Sequence, residues 1–401
     1  MIRVVLENLV KRDADVAVVD GASLEIRPGE LTFILGPSGS GKTTLARLVA
    51  GLEPLDDGEI YFDGRLVHEV PPQHRRVGLV SQDESLWPHL TVEENLGYPL
   101  KVRGVARRER RAQVADALGS ARLDTLAGKR PAELSGLQRQ RVALARALVL
   151  EPDLLILDDP LGRLEVRVRD EFVEEIRRVV SESETTTLVL TSDAREALAL
   201  ADHLAVMDLG RIVQSGRPSE VYNRPTDAFV ARFLGPINLI QGQVESTDPR
   251  GDLVVRTPLG RLVGRSDAGP LPSGSPVTVA LRPEALGFGP SAPFDANRFA
   301  ATVERLVFLG EGRRIHLRGA NDWPVVALAL QSQSQGLREG QGLTIHVTPD
   351  HVVILPARYS LPTEPTPVPA QDPAQDPAPA PPPTPTPTPT PKATSAGLSS
   401  D

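Results

Sequence analysis

The sequence predicts an α/β fold over residues 1–235, built on a mostly parallel sheet, followed by a small all-β, OB-like barrel over 236–357 and a disordered proline-rich tail over 358–401. Three observations carry this division. The first part alternates short apolar runs with stretches of helical periodicity. The second is a series of short β-rich runs broken by Gly, Pro and Asp. The last is almost entirely Pro, Thr, Ala and small polar residues, which bury too little to offset chain entropy.

Length and composition narrow the field before any motif is read. A chain of 401 residues is too long for one core and suggests two or three domains. Net charge is −8, which argues against a nucleic-acid binder held by a basic surface. No cysteine is present, so disulfides, thiolate metal sites and cysteine nucleophiles are excluded. No long uncharged apolar window suggests a transmembrane helix, and the N-terminal stretch lacks a signal-peptide core. The expectation is a cytoplasmic protein.

Taken in order, Leu31–Leu35 reads as a buried strand ended by a glycine-rich turn, and Thr43–Ala50 as the helix that follows. Leu154–Leu157 and Leu188–Leu190 read as two more strands, with a helix over Glu165–Val180 between them. A further helical run covers Val142–Leu150. Beyond Gly235-Pro236 the β-rich runs are Leu253–Arg256, Val277–Leu281, Arg314–Leu317, Thr344–Val347 and Val352–Leu355.

The sharpest local signal is Gly36-Pro37-Ser38-Gly39-Ser40-Gly41-Lys42-Thr43, which fits G-x-x-x-x-G-K-[ST] between a strand and a helix. Backbone N–H groups of such a loop point inward and cradle phosphate oxygens, and the helix N-terminus adds partial positive charge. Lys42 would reach the β- and γ-phosphates, and Thr43, followed by Thr44, would place a hydroxyl on Mg²⁺. Asp158, ending an apolar strand, is the expected second half of that site, with its carboxylate on the metal. ATP and Mg²⁺ are the expected ligands.

Between the two halves lies Leu134-Ser135-Gly136-Leu137-Gln138, which resembles the LSGGQ signature of ABC-transporter nucleotide-binding domains. Gln82, in Val80-Ser-Gln-Asp83, resembles that family's Q-loop, which touches Mg²⁺ and the attacking water. The order of phosphate loop, Q-loop, signature and Asp-ending strand is the family's order. Phe233-Leu-Gly235, Asn238-Leu239 and Val279-Ala-Leu-Arg282-Pro-Glu284 resemble the β-barrel extension of importer ATPases for sugars, polyamines and ferric iron. The resemblance implies a dimer with a second copy or a related ATPase subunit, in which Ser135, Gly136 and Gln138 of one chain face the nucleotide held by the other. It also implies membrane permease subunits as partners, docking in a groove lined by Gln82–His89, and indirectly a solute-binding protein. The place of work would be the cytoplasmic face of the membrane.

Several positions depart from the family pattern. The general base after the metal-binding Asp is usually Glu; here it is Asp159, whose oxygens sit about 1.5 Å short, one carbon–carbon bond. The switch His is Ser192. The second signature glycine is Leu137, which would crowd the partner's nucleotide and exclude a positive φ. Glu165 stands where Asp is usual. The segment Lys11–Asp15 lacks the adenine-stacking aromatic. The parts that hold phosphate and metal are thus intact, whereas the catalytic set Asp159, Ser192 and Gln82 is only partly so. The reading is the ATP-binding subunit of an ABC importer with reduced hydrolysis. The alternative is a catalytically silent nucleotide-binding regulator of the same fold.

Other features carry less. The seven histidines show no zinc-type spacing. Arg107-Arg108-Glu109-Arg110-Arg111 reads as a solvated helix face, with anionic lipid beside a permease as a secondary reading. Trp87 reads as either core or interface; between Leu86 and Pro88 it would suit an interface anchor.

Overall fold

A computed structural model describes residues 1–357 except 163, 184, 270, 290–292 and 294. The tail predicted at 358–401 lies outside the described residues. In the first part, the strands are β1 (Val4–Asp13), β2 (Val16–Ile26), β3 (Leu31–Leu35), β4 (Asp57–Phe62), β5 (Arg65–Leu66), β6 (Val77–Val80), β7 (Leu154–Asp158), β8 (Thr186–Thr191), β9 (His203–Asp208) and β10 (Arg211–Gly216). The helices are α1 (Lys42–Ala50), α2 (Val92–Val102), α3 (Arg107–Ser120), α4 (Gly136–Leu148), α5 (Val166–Ser183), α6 (Ala194–Leu200), α7 (Pro218–Asn223) and α8 (Ala228–Phe233).

Six strands form the central sheet in the order β10-β9-β3-β8-β7-β6. All its pairings are parallel except that of β10 with β9. Burial on both sides explains why β3, β7 and β8 are continuous apolar or Thr-containing runs. The period of two then sorts their side chains. Ile34, Ile156 and Leu190 enter a core shared with α1, β1, β2 and β4. Phe33, Leu35, Leu155 and Val189 enter a core shared with α4, α5, α6 and α8. Helices alone cover only this face, where the strand–helix alternation suggested cover of both. The other is covered by α1 together with an antiparallel sheet, β2-β1-β4-β5, which periodicity did not reveal. A third apolar group joins α2, α3 and α4 through Leu96, Leu100, Val114, Leu118 and Val142. Helix α4 begins six residues before the predicted start because Ser135 and Gln138 form a capping box there.

The second part holds β11 (Asn238–Thr247), β12 (Leu253–Thr257), β13 (Gly260–Gly264), β14 (Pro276–Leu281), β15 (Gly287–Phe288), β16 (Asn297–Phe308), β17 (Gly312–Gly319), β18 (Pro324–Leu330), β19 (Gly342–Val347) and β20 (Val352–Pro356). They form two antiparallel sheets, β13-β12-β11-β14-β20 and β15-β19-β16-β17-β18. Both face one core that includes Ile240, Val279, Ile315, Ala327 and Ile345. Arg282, just after β14, joins the two parts. Its Nη1 donates to the carbonyls of Ala231 (3.1 Å), Gly235 (3.3 Å) and Pro236 (3.2 Å), and Nη2 to that of Tyr222 (3.0 Å). Its guanidinium carbon lies 3.8 Å from the Tyr222 ring centroid. The Tyr222 hydroxyl donates to Glu284 at 2.6 Å, and burial pushes that phenol up to about 12.

Candidate functional site

Parallel strands end together, so the loops after β3, β7 and β8 converge at one sheet edge. Backbone bonds fix their alignment: Gly36 N–H donates to Thr191 O (3.2 Å), and Asp159 N–H to Leu190 O (2.8 Å). The phosphate loop leads from β3 into α1. Gly41 is required there, because φ is +99° and a Cβ would meet Val18 O at 2.4 Å. Ser38 and Gly39 are exposed, and Ser40 is buried. Lys42 Nζ donates to the loop carbonyls of Gly36 (2.7 Å) and Pro37 (2.9 Å). Burial lowers its pKa, and the charges of Asp158 and Asp159 oppose that shift.

The carboxylates come from β7. Asp158 is buried, and burial raises its pKa; a hydrogen bond from Thr43 opposes the shift, and the Asp159 charge adds to it. Thr43, Asp158 and Lys42 are thus brought together and electrostatically linked. Gln82, just beyond β6, donates from Nε2 to Asp159 Oδ2 at 2.9 Å. Asp159 has a φ of +51°, an unusual conformation for a residue with a Cβ. A Cβ at Gly162 would meet Asp159 Oδ2 at 2.2 Å, so Gly162 makes room for that carboxylate. Among the described residues no cluster of three or more His, Cys, Asp or Glu could cage a metal. A hydroxyl, an amide and one carboxylate suit Mg²⁺, which keeps waters and takes phosphate oxygens rather than a protein cage.

Ser192 follows β8 and is exposed. The preceding Thr191 donates to Glu196 Oε2 at 2.9 Å and accepts from the N–H of Asp193 at 3.0 Å. Glu196 is pushed up to about 7, first by burial, with Asp193 adding to the shift and Thr191 and Arg169 opposing it. Arg169 of α5 lies 3.4 Å from Asp193 and 3.6 Å from Glu196. Sequence reasoning missed this group. Its only trace was the spacing Thr191-x-Asp193-x-x-Glu196.

The signature residues sit at the start of α4. The Ser135 hydroxyl accepts from Gln138 N–H (3.3 Å), and Gln138 Oε1 accepts from Ser135 N–H (2.9 Å). Leu137 lacks the positive φ that its side chain was expected to exclude. It lies within α4, outside the residues of positive φ, and its side chain packs on the core beside the sheet. No glycine conformation is demanded at that position. Arg139 pairs with buried Glu84 at 2.8 Å, and Arg146 donates to the carbonyls of Ser85 (2.7 Å) and Glu84 (3.0 Å). These bonds tie the segment after Gln82 to the signature helix. Arg146 also lies over Trp87, 4.7 Å from the ring centroid, and Trp87 lies 4.5 Å from Tyr98. Beside them opens a cavity of about 430 Å³ lined by Ser85, Trp87, Pro99, Arg103 and Arg146. Of the segment Gln82–His89, only Ser85 and Trp87 reach it. Asp13, where a stacking aromatic was sought, is exposed at the β1–β2 turn.

Residues 19–162 match the family model described as ABC transporter, and residues 279–355 that of the TOBE domain. The chain is 35% identical to the spermidine/putrescine import ATP-binding protein PotA of Pseudomonas fluorescens, over 89% of this chain and 99% of that protein. It is 41% identical to the Fe(3+) ions import ATP-binding protein FbpC of Streptomyces avermitilis, over 77% and 85%. It is 38% identical to the sulfate/thiosulfate import ATP-binding protein CysA of Nocardia farcinica, over 88% and 100%. Among solved structures, a nucleotide-free ATP-binding cassette from an ABC transporter matches with a TM-score of 0.52 at 26% identity, covering 58% of this chain and 98% of that one.

Proposed function

The chain belongs to the ABC transporter family of ATP-binding subunits, and from that premise we propose that it binds Mg·ATP between two such subunits and couples its hydrolysis to solute import through a permease. The relatives named as import ATP-binding proteins favour this reading over a silent regulator. The observation that carries it is the convergence of Lys42, Thr43, Asp158, Asp159 and Gln82 at the ends of β3, β6 and β7. The 1–235 and 236–357 division is retained as that of catalytic domain and barrel extension.

Backbone N–H groups of Gly39–Thr43 and the Lys42 ammonium bind the phosphates. Thr43, Asp158 and Gln82 would hold Mg²⁺, which would supply positive charge against the phosphates. Asp159 orients the attacking water and takes its proton. Its short side chain and the exposed Ser192 leave transition-state charge less well met than Glu and His would. Displacement of a base by about 1 Å can cost on the order of a hundredfold in rate. Ser135, Gly136 and Gln138 complete the site of the opposite subunit. The cavity beside Trp87 receives the permease.

The solute is not read by this chain. Relatives of similar identity are named for a polyamine cation, a ferric cation and a sulfate anion. Opposite charges cannot share one recognition chemistry, so selection belongs to the permease and a solute-binding protein. Steady-state phosphate release by the purified chain tests the reading. The expectation is Mg²⁺-dependent turnover at least about tenfold below an importer ATPase with Glu and His at these positions, roughly 1.4 kcal/mol of transition-state stabilisation. Ordinary turnover would remove the reduced-hydrolysis part. Failure to bind ATP at all would remove the whole proposal.

A further inference from the structure

The corner between α2 and α3 gathers cations against local preference. Lys101 lies at the end of α2, Arg103 follows it, and Arg107, Arg108 and Arg111 lie in the first turns of α3. All five are exposed. None has a carboxylate partner among the described residues, although many other arginines of this chain are paired. The N-terminus of a helix carries partial positive charge and favours acids, so three arginines there raise the local potential further. Ala106, the N-cap, offers no side-chain bond. Glu109 is the one acid of that turn. It projects about 200° around the helix from Arg107, whereas Arg108 and Arg111 lie within about 100° of it. Val102, 69% exposed, and Tyr98, 42% exposed, stand beside the cations. Arg103 also lines the cavity beside Trp87.

We propose that this corner is a docking surface for the anionic headgroups of a phospholipid leaflet, which Lys101, Arg107, Arg108 and Arg111 hold electrostatically while Val102 meets the interface. The proposal rests on the permease reading of the adjacent cavity, since a subunit seated there brings this corner toward the bilayer. Charge complementarity selects the occupant. The chain as a whole carries −8 and is repelled by an anionic surface, so attachment requires a local cationic patch. A cluster of four to eight basic residues at a membrane face is the size that anionic lipid recognises. Guanidinium groups suit phosphate, because their forked donors match its oxygens.

The test is sedimentation of the full chain with vesicles of phosphatidylcholine alone or with 30% phosphatidylglycerol. Expected is binding to the anionic vesicles only, abolished at about 1 M salt, where the screening length falls to about 3 Å. The variant R107S/R108S/R111S should lower the partition coefficient at least about tenfold, from a few-fold per cation. The variant R107K/R108K/R111K should retain most of it, and both should keep the wild-type melting temperature and nucleotide affinity. Equal sedimentation with both vesicles, or unchanged binding by the serine variant, overturns the proposal. Because no permease is present, either result leaves the transport reading standing. Cross-linking at Trp87 in the assembled transporter tests that reading separately.

Discussion

The two ends of the candidate site are built differently. At the end of β3 and β7, each polar group has an assigned partner: Lys42 on loop carbonyls, Thr43 on Asp158, Gln82 on Asp159. At the end of β8, the chain invests its bonds one residue to either side of the position that should act. Thr191, Asp193, Glu196 and Arg169 bond to one another, while Ser192 stands exposed between them. Gripping phosphate needs a cradle of backbone donors and one ammonium, and tolerates few substitutes. Driving hydrolysis needs side chains of the right reach, and in the proposed function Asp159 and Ser192 are the two that fall short. In the proposed function, this difference lets nucleotide binding and turnover be altered separately within one sheet edge.

The largest expected effect lies on the gripping side. Lys42→Ala removes an ammonium and its charge-assisted bonds, each roughly twice as strong as a neutral one. Mg·ATP affinity should fall by a hundredfold or more in a titration, with the fold intact by circular dichroism. A fall of only a few-fold would mean that the backbone cradle alone grips.

On the hydrolysing side, Asp159→Glu with Ser192→His should raise steady-state phosphate release at least about tenfold. Each alone should give only part of the gain, because residues acting as a unit are not additive. Adding Leu137→Gly should lower the melting temperature, since a helical glycine costs about 1 kcal/mol and the packing of Leu137 is lost. No gain from the pair would erase the contrast between the two ends.

The nucleobase offers a smaller effect. Asp13→Tyr supplies a ring where none stands, and base–aromatic stacking is worth about 1–3 kcal/mol. ATP should bind several-fold tighter, read by competition with a fluorescent nucleotide. Unchanged affinity would place adenine away from the β1–β2 turn.

The smallest effect concerns Glu196. Its folded pKa, about 7, lies above the ordinary 4.5. Above pH 7 it is ionised in both states, and burial of the charge costs stability; below 4.5 it is neutral in both, and the cost is gone. Stability from this group therefore rises as pH falls from 7 to 4.5. Glu196→Gln keeps an acceptor for Thr191 and should raise the melting temperature by a few degrees at pH 8 and leave it unchanged at pH 4.5. An equal shift at both pH values would refute burial as the cause.

Much of the site was legible because its chemistry is local. Gly36–Thr43 is contiguous, Asp158 ends an unmistakable apolar run, and Gln82 and Ser135–Gln138 lie in short motifs. Strands β3, β7 and β8 of the central sheet were legible for the same reason, since burial on both faces leaves a continuous apolar run, whereas β6 and β9 of that sheet were not read. The strands β1, β2 and β4 were not, because their faces alternate irregularly across bulges. The helical setting of Leu137 was not legible, because a motif shows which residue is present but not its backbone angle. Only the capping box at Ser135 places it inside a helix.

The sequence by itself determined the fold class, the phosphate loop between a strand and a helix, the carboxylate that ends β7, and the residue types, Asp159 and Ser192, on which the proposed shortfall in reach rests. These follow from residue type and near-neighbour spacing. Tertiary structure alone decided that Gln82 bonds Asp159, that Gly162 makes room for that carboxylate, that Arg169 and Glu196 brace the loop around Ser192, and that Arg282 clasps α7 and α8. Apart from Gly162, which shares the loop after β7 with Asp159, each of these joins residues from different elements, with separations as large as 77 residues for Gln82 and Asp159. The physical reason is that a contact depends on how elements pack, and packing is settled by the whole core at once.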